Sequence, residues 1–384
     1  SSKLRGAEFI KTMIIPAKGL STDSLQGLCE RIREFNHEAN LSAQALCERI
    51  NHSSSKSLMR GVFEELLREQ HLRQIHRCRR LASTLQGFKR VLLGDSTVVK
   101  LNEKLQDIFP GTNRGGTGAK SQRKIDLIHD ITSGSMIDAT LHNGNDPDQG
   151  LANQIVRHIR EGDLVIRDLG YFVLESLRKI ADAGAYFLSR FQPNVKIYLK
   201  KDDVEAVDLG NYVERNYSGV ATIDLEHVFL GDEKVPARII LYHQPREIVE
   251  KRRREANQRA RETGRKMSKG KRLCLQFAVY VTNAPKELLT AEVVGTVYRL
   301  RWEIELIFKR WKSQLQIDYL KGINKNRIEC LIWSRLCTII MIEMVSGFIA
   351  RIADATFKQE ISLDKVVSYI LRKDKFAEAI VNDR

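Results

Sequence analysis

Apolar positions change period along the chain, and the changes divide it into distinct stretches. From residue 20 to about 85, leucines, isoleucines and Arg/Glu residues recur at helical spacing, with one break at His52-Ser-Ser-Ser55. Leu41–Ile50, that serine turn and Lys56–Arg60 have the outline of a helix-turn-helix over residues 41–68, which would carry Lys56 and Arg60 towards a DNA groove. An ordinary helical hairpin gives the same pattern. From 90 to 192 strands alternate with helices: strands at 90–101, 123–132 and 135–142, a helix at 150–161, a strand at 164–168, a helix at 173–183 and a strand at 185–191. Strand-rich sequence continues through Val195–Leu199, Val220–Phe229 and Ala237–Tyr242 before a polar stretch begins. A strand at Leu275–Thr282 precedes an amphipathic helix around residue 305, and from 326 the chain is helical again about an apolar middle, Leu331–Ile352.

These periods predict an α/β protein with helical ends. Residues 1–88 form a helical DNA-binding part, 89–192 and 275–325 one sheet-bearing core, 193–274 a β-rich insertion that splits the core, and 326–384 a closing helical subdomain. A dimer contact is an alternative role for the last part.

The late helix carries the sharpest chemistry. Tyr298, Arg301, Glu305 and Lys312 stand at offsets that bring all four within roughly 60° of one helix face, at about 100° per residue. Val297, Leu300, Ile304, Ile307, Trp311 and Leu315 form a neighbouring apolar stripe that can pack on a core. A carboxylate is thereby held in a row of phosphate-type donors, which suits a metal-bound acid working on a nucleic-acid backbone.

The row reads Tyr-x2-Arg-x3-Glu-x6-Lys, and in it the chain resembles bacterial insertion-sequence transposases of the insertion-sequence-four type. The resemblance implies a ribonuclease-H-like catalytic core with an Asp, Asp, Glu triad, of which Glu305 is the third member. Two upstream aspartates at strand positions are then required. Asp95 lies inside the run Arg90–Leu101, and Asp168 ends the short run Leu164–Arg167 before Gly170. Asp163 is a nearby rival of Asp168, and Asp126 and Asp130 are rivals of Asp95 that read as edge or exposed positions. Strand ends in an α/β sheet gather ligands, so Asp95 and Asp168 can lie side by side with Glu305 brought in later. Three converging carboxylates repel one another unless cations neutralise them. Hard oxygen donors favour two Mg²⁺ ions per site, with Mn²⁺ as a substitute.

The resemblance further implies that Tyr298, Arg301 and Lys312 touch DNA phosphates near the cleaved bond, that the element leaves through hairpin ends, and that a homodimer joins the two ends. The partners would be double-stranded DNA, as terminal inverted repeats and as target. Salt bridges from Arg301 or Lys312 to Glu303 or Glu305 are the alternative for the row. A nuclease that cuts without strand transfer, and a catalytically idle DNA-binding descendant, are the alternative functions.

Charge agrees with a polyanionic partner. The 63 Lys and Arg against 48 Asp and Glu leave a formal charge of +15 over 384 residues. Residues 246–272 alone hold twelve basic residues against four Glu, including Lys251, Arg252, Arg253 and Arg254. Without an evident hydrophobic stripe, this stretch is expected to be a helical arm or flexible hairpin that orders on DNA. The six cysteines (Cys29, Cys47, Cys78, Cys274, Cys330, Cys337) show no Cys-x-x-Cys pair, which argues against a zinc site and for reduced thiols. Gly111–Ser121 imitates a phosphate-cradling loop but lacks its lysine spacing, leaving Arg114 and Lys120 as modest DNA contacts. His129 and His142 read as structural. The most apolar tract, Cys337–Ile349, is interrupted by Glu343 and shorter than a bilayer requires, so no membrane partner and a cytoplasmic, nucleoid-associated protein are expected.

Overall fold

The computed structural model describes residues 4–15, 24–73, 85–112, 120–217, 219–264, 269–358 and 363–372. Its centre is one mixed sheet. β1 (Val91–Lys100), β2 (Gln122–Asp130) and β3 (Ser135–Asn143) run antiparallel in sequence order, while β4 (Leu164–Arg167) and β5 (Tyr186–Arg190) add in parallel on the other side of β1. Val91, Leu92 and Leu93 are all fully buried, so β1 is covered on both faces, which is why its sequence is a continuous apolar run rather than an alternation. The β3–β4 crossover is a short α5 (Asp148–Leu151) followed by a 3-10 turn, Ala152–Arg157, instead of the expected helix over 150–161. Gly150 and the β-branched Ile155 and Val156 make that stretch a poor α-helix. α6 (Leu174–Asp182) makes the next crossover.

The strands of the insertion do not form a separate sheet. β6 (Ile197–Tyr198), β7 (Thr222–Leu230), β8 (Val235–His243) and β9 (Phe277–Thr282) continue the core sheet, giving the order β3-β2-β1-β4-β5-β9-β8-β7-β6. β9 is the joint, pairing antiparallel with β5 on one edge and β8 on the other. Between β6 and β7 lies α7 (Leu209–Asn216), and the basic stretch folds as α8 (Arg246–Thr263) and α9 (Lys269–Gln276). α8 is a helix, one of the two forms expected of this stretch: Val249 and Ala256, two turns apart, are each 9 % exposed and anchor it.

Helices cover both faces. On one, α1 (Gly6–Ile14), α2 (Leu25–Phe35), α3 (Ala43–Asn51), α4 (Ser53–Arg73), α10 (Ala291–Arg299), α11 (Trp302–Ser313) and α12 (Lys325–Phe357) share one hydrophobic core with the sheet. The other face is covered by α6, α7 and α9. α13 (Leu363–Arg372) closes the described chain. Ser24 and Ser42 cap α2 and α3, accepting from the backbone NH of Gly27 and Ala45. Only His52 separates α3 from α4, shorter than a helix-turn-helix turn, and Met59, Phe63 and Leu67 of α4 are buried in the core that also holds Trp333 of α12. The N- and C-terminal helices therefore pack as one layer.

α12 corrects a further expectation. By length and composition alone this 33-residue helix could cross a membrane. In the fold it is a core helix, with Leu336, Ile339 and Ile340 fully buried against its neighbours. Glu343 interrupts its apolar run. Burial raises this carboxyl to about 7, outweighing the opposing pull of Arg310, Trp311 and Gln70. A carboxyl whose pKa is raised by folding stabilises while it keeps its proton, so that contribution is full below the ordinary value of 4.5 and is lost as pH rises through about 7. Glu343→Gln should flatten the fall in stability over that window and stabilise the protein at pH 8 by on the order of 1–3 kcal/mol. Urea unfolding from pH 4.5 to 8 measures it, and parallel pH profiles for the two proteins would contradict it.

Candidate active site

β1 and β4 are adjacent and parallel, and their register sets Gly94 opposite Arg167. The residues that follow, Asp95 and Asp168, therefore emerge next to each other where β4 ends. Glu305 stands in the first turn of α11, which packs against β1. One side chain meets all three acids. Arg301 places Nη1 3.4 Å from Asp95 Oδ2, Nε 3.9 Å from Asp168 Oδ1 and Nη2 2.6 Å from Glu305 Oε1. Arg301 stands at the junction of α10 and α11, where Leu300 and Arg301 keep helical dihedrals while the backbone bonds tighten, Leu300 NH donating to the Val297 carbonyl and Arg301 NH to that of Tyr298. The four-residue row thus crosses a tightened junction between two helices. The salt bridge to Glu305 anticipated within that row is present, and it is one arm of a three-way contact.

Burial dominates the electrostatics of the first acid. Burial pushes the Asp95 carboxyl up to about 6, with Asp168 and Asp148 adding to the rise, while the Ser96 backbone NH and Arg301 only partly oppose it. Among the described residues no three acid, histidine or cysteine side chains stand close enough together to share one metal ion. Arg301 lies between the acids, and its Nε has no hydrogen-bond partner. Three hard carboxylates facing one guanidinium have the donor chemistry that suits a divalent cation, with Arg301 standing between them in this arrangement.

Tyr298 is 5 % exposed, packed on Tyr280 with 5.2 Å between ring centroids, and its hydroxyl has no hydrogen-bond partner. Burial and the nearby Asp168 charge push that phenol up to about 12. It lies beside the acids, not on the outward face expected of it. Lys312 sits partly buried in the last turn of α11. On α8, Lys251, Arg253 and Arg254 are exposed and Arg252 is partly buried. Lys56 pairs with Glu329 at 3.0 Å, while Arg60 pairs with Glu64 at 2.9 Å and lies 6.0 Å from the Trp333 ring centroid. Lys120 pairs with Glu103, and Arg114 falls outside the described residues.

The rival aspartates have other work. Asp163 is buried in an ion pair with Arg90. Asp126 and Asp130, expected at edge or exposed positions, are 2 % and 3 % exposed. Asp130 caps the β2–β3 turn through Thr132 and Ser133, and Asp126 accepts from the Tyr171 hydroxyl at 2.7 Å. Sequence reasoning missed Asp148, which accepts from Lys124 Nζ at 2.7 Å and Ser96 Oγ at 3.1 Å and raises Asp95. Its Asp-Pro-Asp setting, which starts a helical turn at Pro147, was the available signal.

The family model described as the transposase DDE domain matches residues 86–341, two-thirds of the chain, a span within which Asp95, Asp168 and Glu305 lie. The chain belongs to the DDE transposases. It is 29 % identical over 382 residues to the transposase for insertion sequence element IS231F of Bacillus thuringiensis subsp. israelensis, covering 96 % of this chain and 79 % of that protein. The transposase for IS231B of B. thuringiensis subsp. berliner is 28 % identical over 96 % of this chain and 78 % of its own. The transposase for IS1151 of Clostridium perfringens is 26 % identical over 78 % and 65 %. This transposase is thus a polynucleotidyl transferase of the insertion-sequence-four type, a family that uses divalent metal.

Removing Arg301 should expose the repulsion it offsets. In metal-free buffer Arg301→Ala is expected to melt several degrees below the parent, and Mn²⁺ should raise its melting temperature by more than it raises the parent's. Calorimetry with and without Mn²⁺ decides this. Equal Mn²⁺ increments in the two proteins would show that the guanidinium is not the acids' counter-charge.

Proposed function

We propose that this transposase moves its element by cut-and-paste, with Asp95, Asp168 and Glu305 as the catalytic acids of a ribonuclease-H-like core. The observation that carries the reading is the single Arg301 guanidinium facing all three acids, from two adjacent parallel strands and one later helix. The three carboxylates would hold two Mg²⁺ ions, with Mn²⁺ as a substitute, which when bound supply charge to activate the attacking oxygen and stabilise the leaving one. Water attacks the phosphodiester at the element end, and the freed 3′-hydroxyl then attacks target DNA by in-line displacement.

The chain's own residues position the DNA. Arg301, freed from the acids, offers a guanidinium fork to a phosphate beside the reacting bond, and Lys312 offers a point charge. Tyr298, beside Asp168, completes the row and supports the hairpin route for releasing the ends. Lys251–Arg254 on α8 contact backbone phosphates, while Lys56 and Arg60 at the start of α4 serve end recognition. Residues 1–88 act as the DNA-binding part, 193–274 as the insertion and 326–384 as the closing helices, and a homodimer on DNA joins the two ends.

Asp95→Asn, Asp168→Asn and Glu305→Gln should each lower end cleavage by at least about a thousandfold while leaving DNA affinity within a few fold. Each change removes a metal-neutralising charge with little change of shape. Gel assays with element-end DNA and Mg²⁺ read both quantities, and near-parental cleavage by any one variant removes that residue from the triad. Products joined from a pre-cleaved 3′-hydroxyl end distinguish transposition from cutting alone.

Neutralising Lys251, Arg252, Arg253 and Arg254 together should weaken binding to element-end and unrelated DNA alike. Each lost phosphate contact also releases about one fewer counterion, so the salt dependence flattens. Lys56→Ala with Arg60→Ala should instead narrow the gap between element-end and random DNA, because base contacts carry sequence information. Competition binding at several salt concentrations separates the two. A 251–254 variant that keeps its salt slope and loses only specificity would reverse the assignment.

A further inference from the structure

The residues that precede the two aspartates face each other: Gly94 on β1 pairs with Arg167 on β4. A Cβ built on Gly94 would stand 2.6 Å from Arg167 Nε and 3.2 Å from its Cζ. The guanidinium therefore lies across the space where any other side chain would begin. Arg167 is 6 % exposed, its Nη1 donates to the Ala152 carbonyl at 2.8 Å, and its Cζ is 3.8 Å from the centroid of the Tyr171 ring. Its Nη2 is 3.9 Å from Asp126 Oδ2, and the Tyr171 hydroxyl donates to Asp126 Oδ1. Tyr171 also closes the turn after the second aspartate, its backbone NH donating to the Asp168 carbonyl at 3.0 Å.

Burying a guanidinium is costly, and an apolar side chain would fill the same core space without that cost. Arg167 Nε has no hydrogen-bond partner, so the arrangement is not optimised for stability. What the three polar side chains share is position. Arg167 and Tyr171 flank Asp168, Gly94 precedes Asp95, and Asp126 lies on β2 opposite Ser96, the residue after Asp95.

We propose that Asp126, Arg167 and Tyr171 form a positioning brace that fixes the spacing and orientation of Asp95 and Asp168 for divalent-cation binding. The inference rests on the assignment of Asp95, Asp168 and Glu305 made above. Arg167 fills the space beside Gly94 and Tyr171 holds the turn after Asp168, while the carboxylates of both aspartates face Arg301. Partners of metal-holding groups characteristically change affinity about ten- to a hundredfold when removed.

The test uses the full chain bound to element-end DNA, with Mn²⁺ binding followed by electron paramagnetic resonance, cleavage measured across Mn²⁺ concentrations, and folding checked by thermal melting. Arg167→Met keeps bulk and removes the fork. It should weaken Mn²⁺ binding roughly ten- to a hundredfold, and cleavage lost at low Mn²⁺ should recover largely at saturation. Tyr171→Phe, which loses only the hydroxyl donated to Asp126, should shift both readings in the same direction by less. If Arg167→Met does not fold, Tyr171→Phe decides alone. Parental Mn²⁺ affinity in every folded brace variant, alongside loss of Mn²⁺ binding in Asp95→Asn, would overturn the brace and leave the triad standing. Parental Mn²⁺ binding and cleavage in Asp95→Asn would show that the site assignment itself has failed, and the brace falls with it.

Discussion

Like charges held close together in a partly buried place are the constraint on which this structure turns. Two aspartates emerge side by side because β1 and β4 are parallel neighbours, and a late helix adds a third acid. Such a cluster costs free energy unless a positive charge sits within it. Arg301 provides that charge from the junction of α10 and α11, within 4 Å of all three carboxylates. Asp95 nevertheless keeps a raised pKa, because its burial outweighs the pull of that guanidinium and of the Ser96 backbone NH.

Distant segments converge on that site because the sheet absorbs the insertion. β9 pairs with both β5 and β8, which welds residues 197–243 to the strands that carry the aspartates. An insertion hung on a flexible stalk would let the glutamate helix drift relative to β1. Here the chain leaves the core sheet after β5 and returns to the neighbouring position with β9, so α10 and α11 start from a fixed edge. The buried Arg238 reinforces the junction, pairing with Asp224 on β7 and donating to the Leu289 carbonyl in the loop after β9.

The period of the apolar residues made most of the sheet legible. All nine strands lie within two residues of their predicted limits because buried runs such as Leu164–Arg167 and alternating runs such as Thr222–Leu230 each have their own pattern. β6 shrank to two residues and the crossover before β4 lost its long helix, both at places where local propensity is weak. The acids were legible as types of residue in types of context, Asp95 inside a strand and Asp168 at the end of one. Their shared guanidinium was not, because helix periodicity takes Tyr298–Lys312 as unbroken and gives no sign of the turn at Leu300 and Arg301. Asp126 misled for a related reason: alternation on β2 marks which residues share a face but not whether a helix or turn then covers it.

That difference also changes how the basic surface has to be understood. A disordered arm would spend part of its binding energy on ordering itself. α8 is helical, tied down by Val249 and Ala256, with three of the four residues Lys251–Arg254 turned to solvent. Under the proposed contact with phosphate, such a helical row would bind with little conformational loss. Its affinity would then depend chiefly on counterion release and on the angle at which the insertion presents the helix, an angle set by the same continuous sheet that carries Asp95 and Asp168.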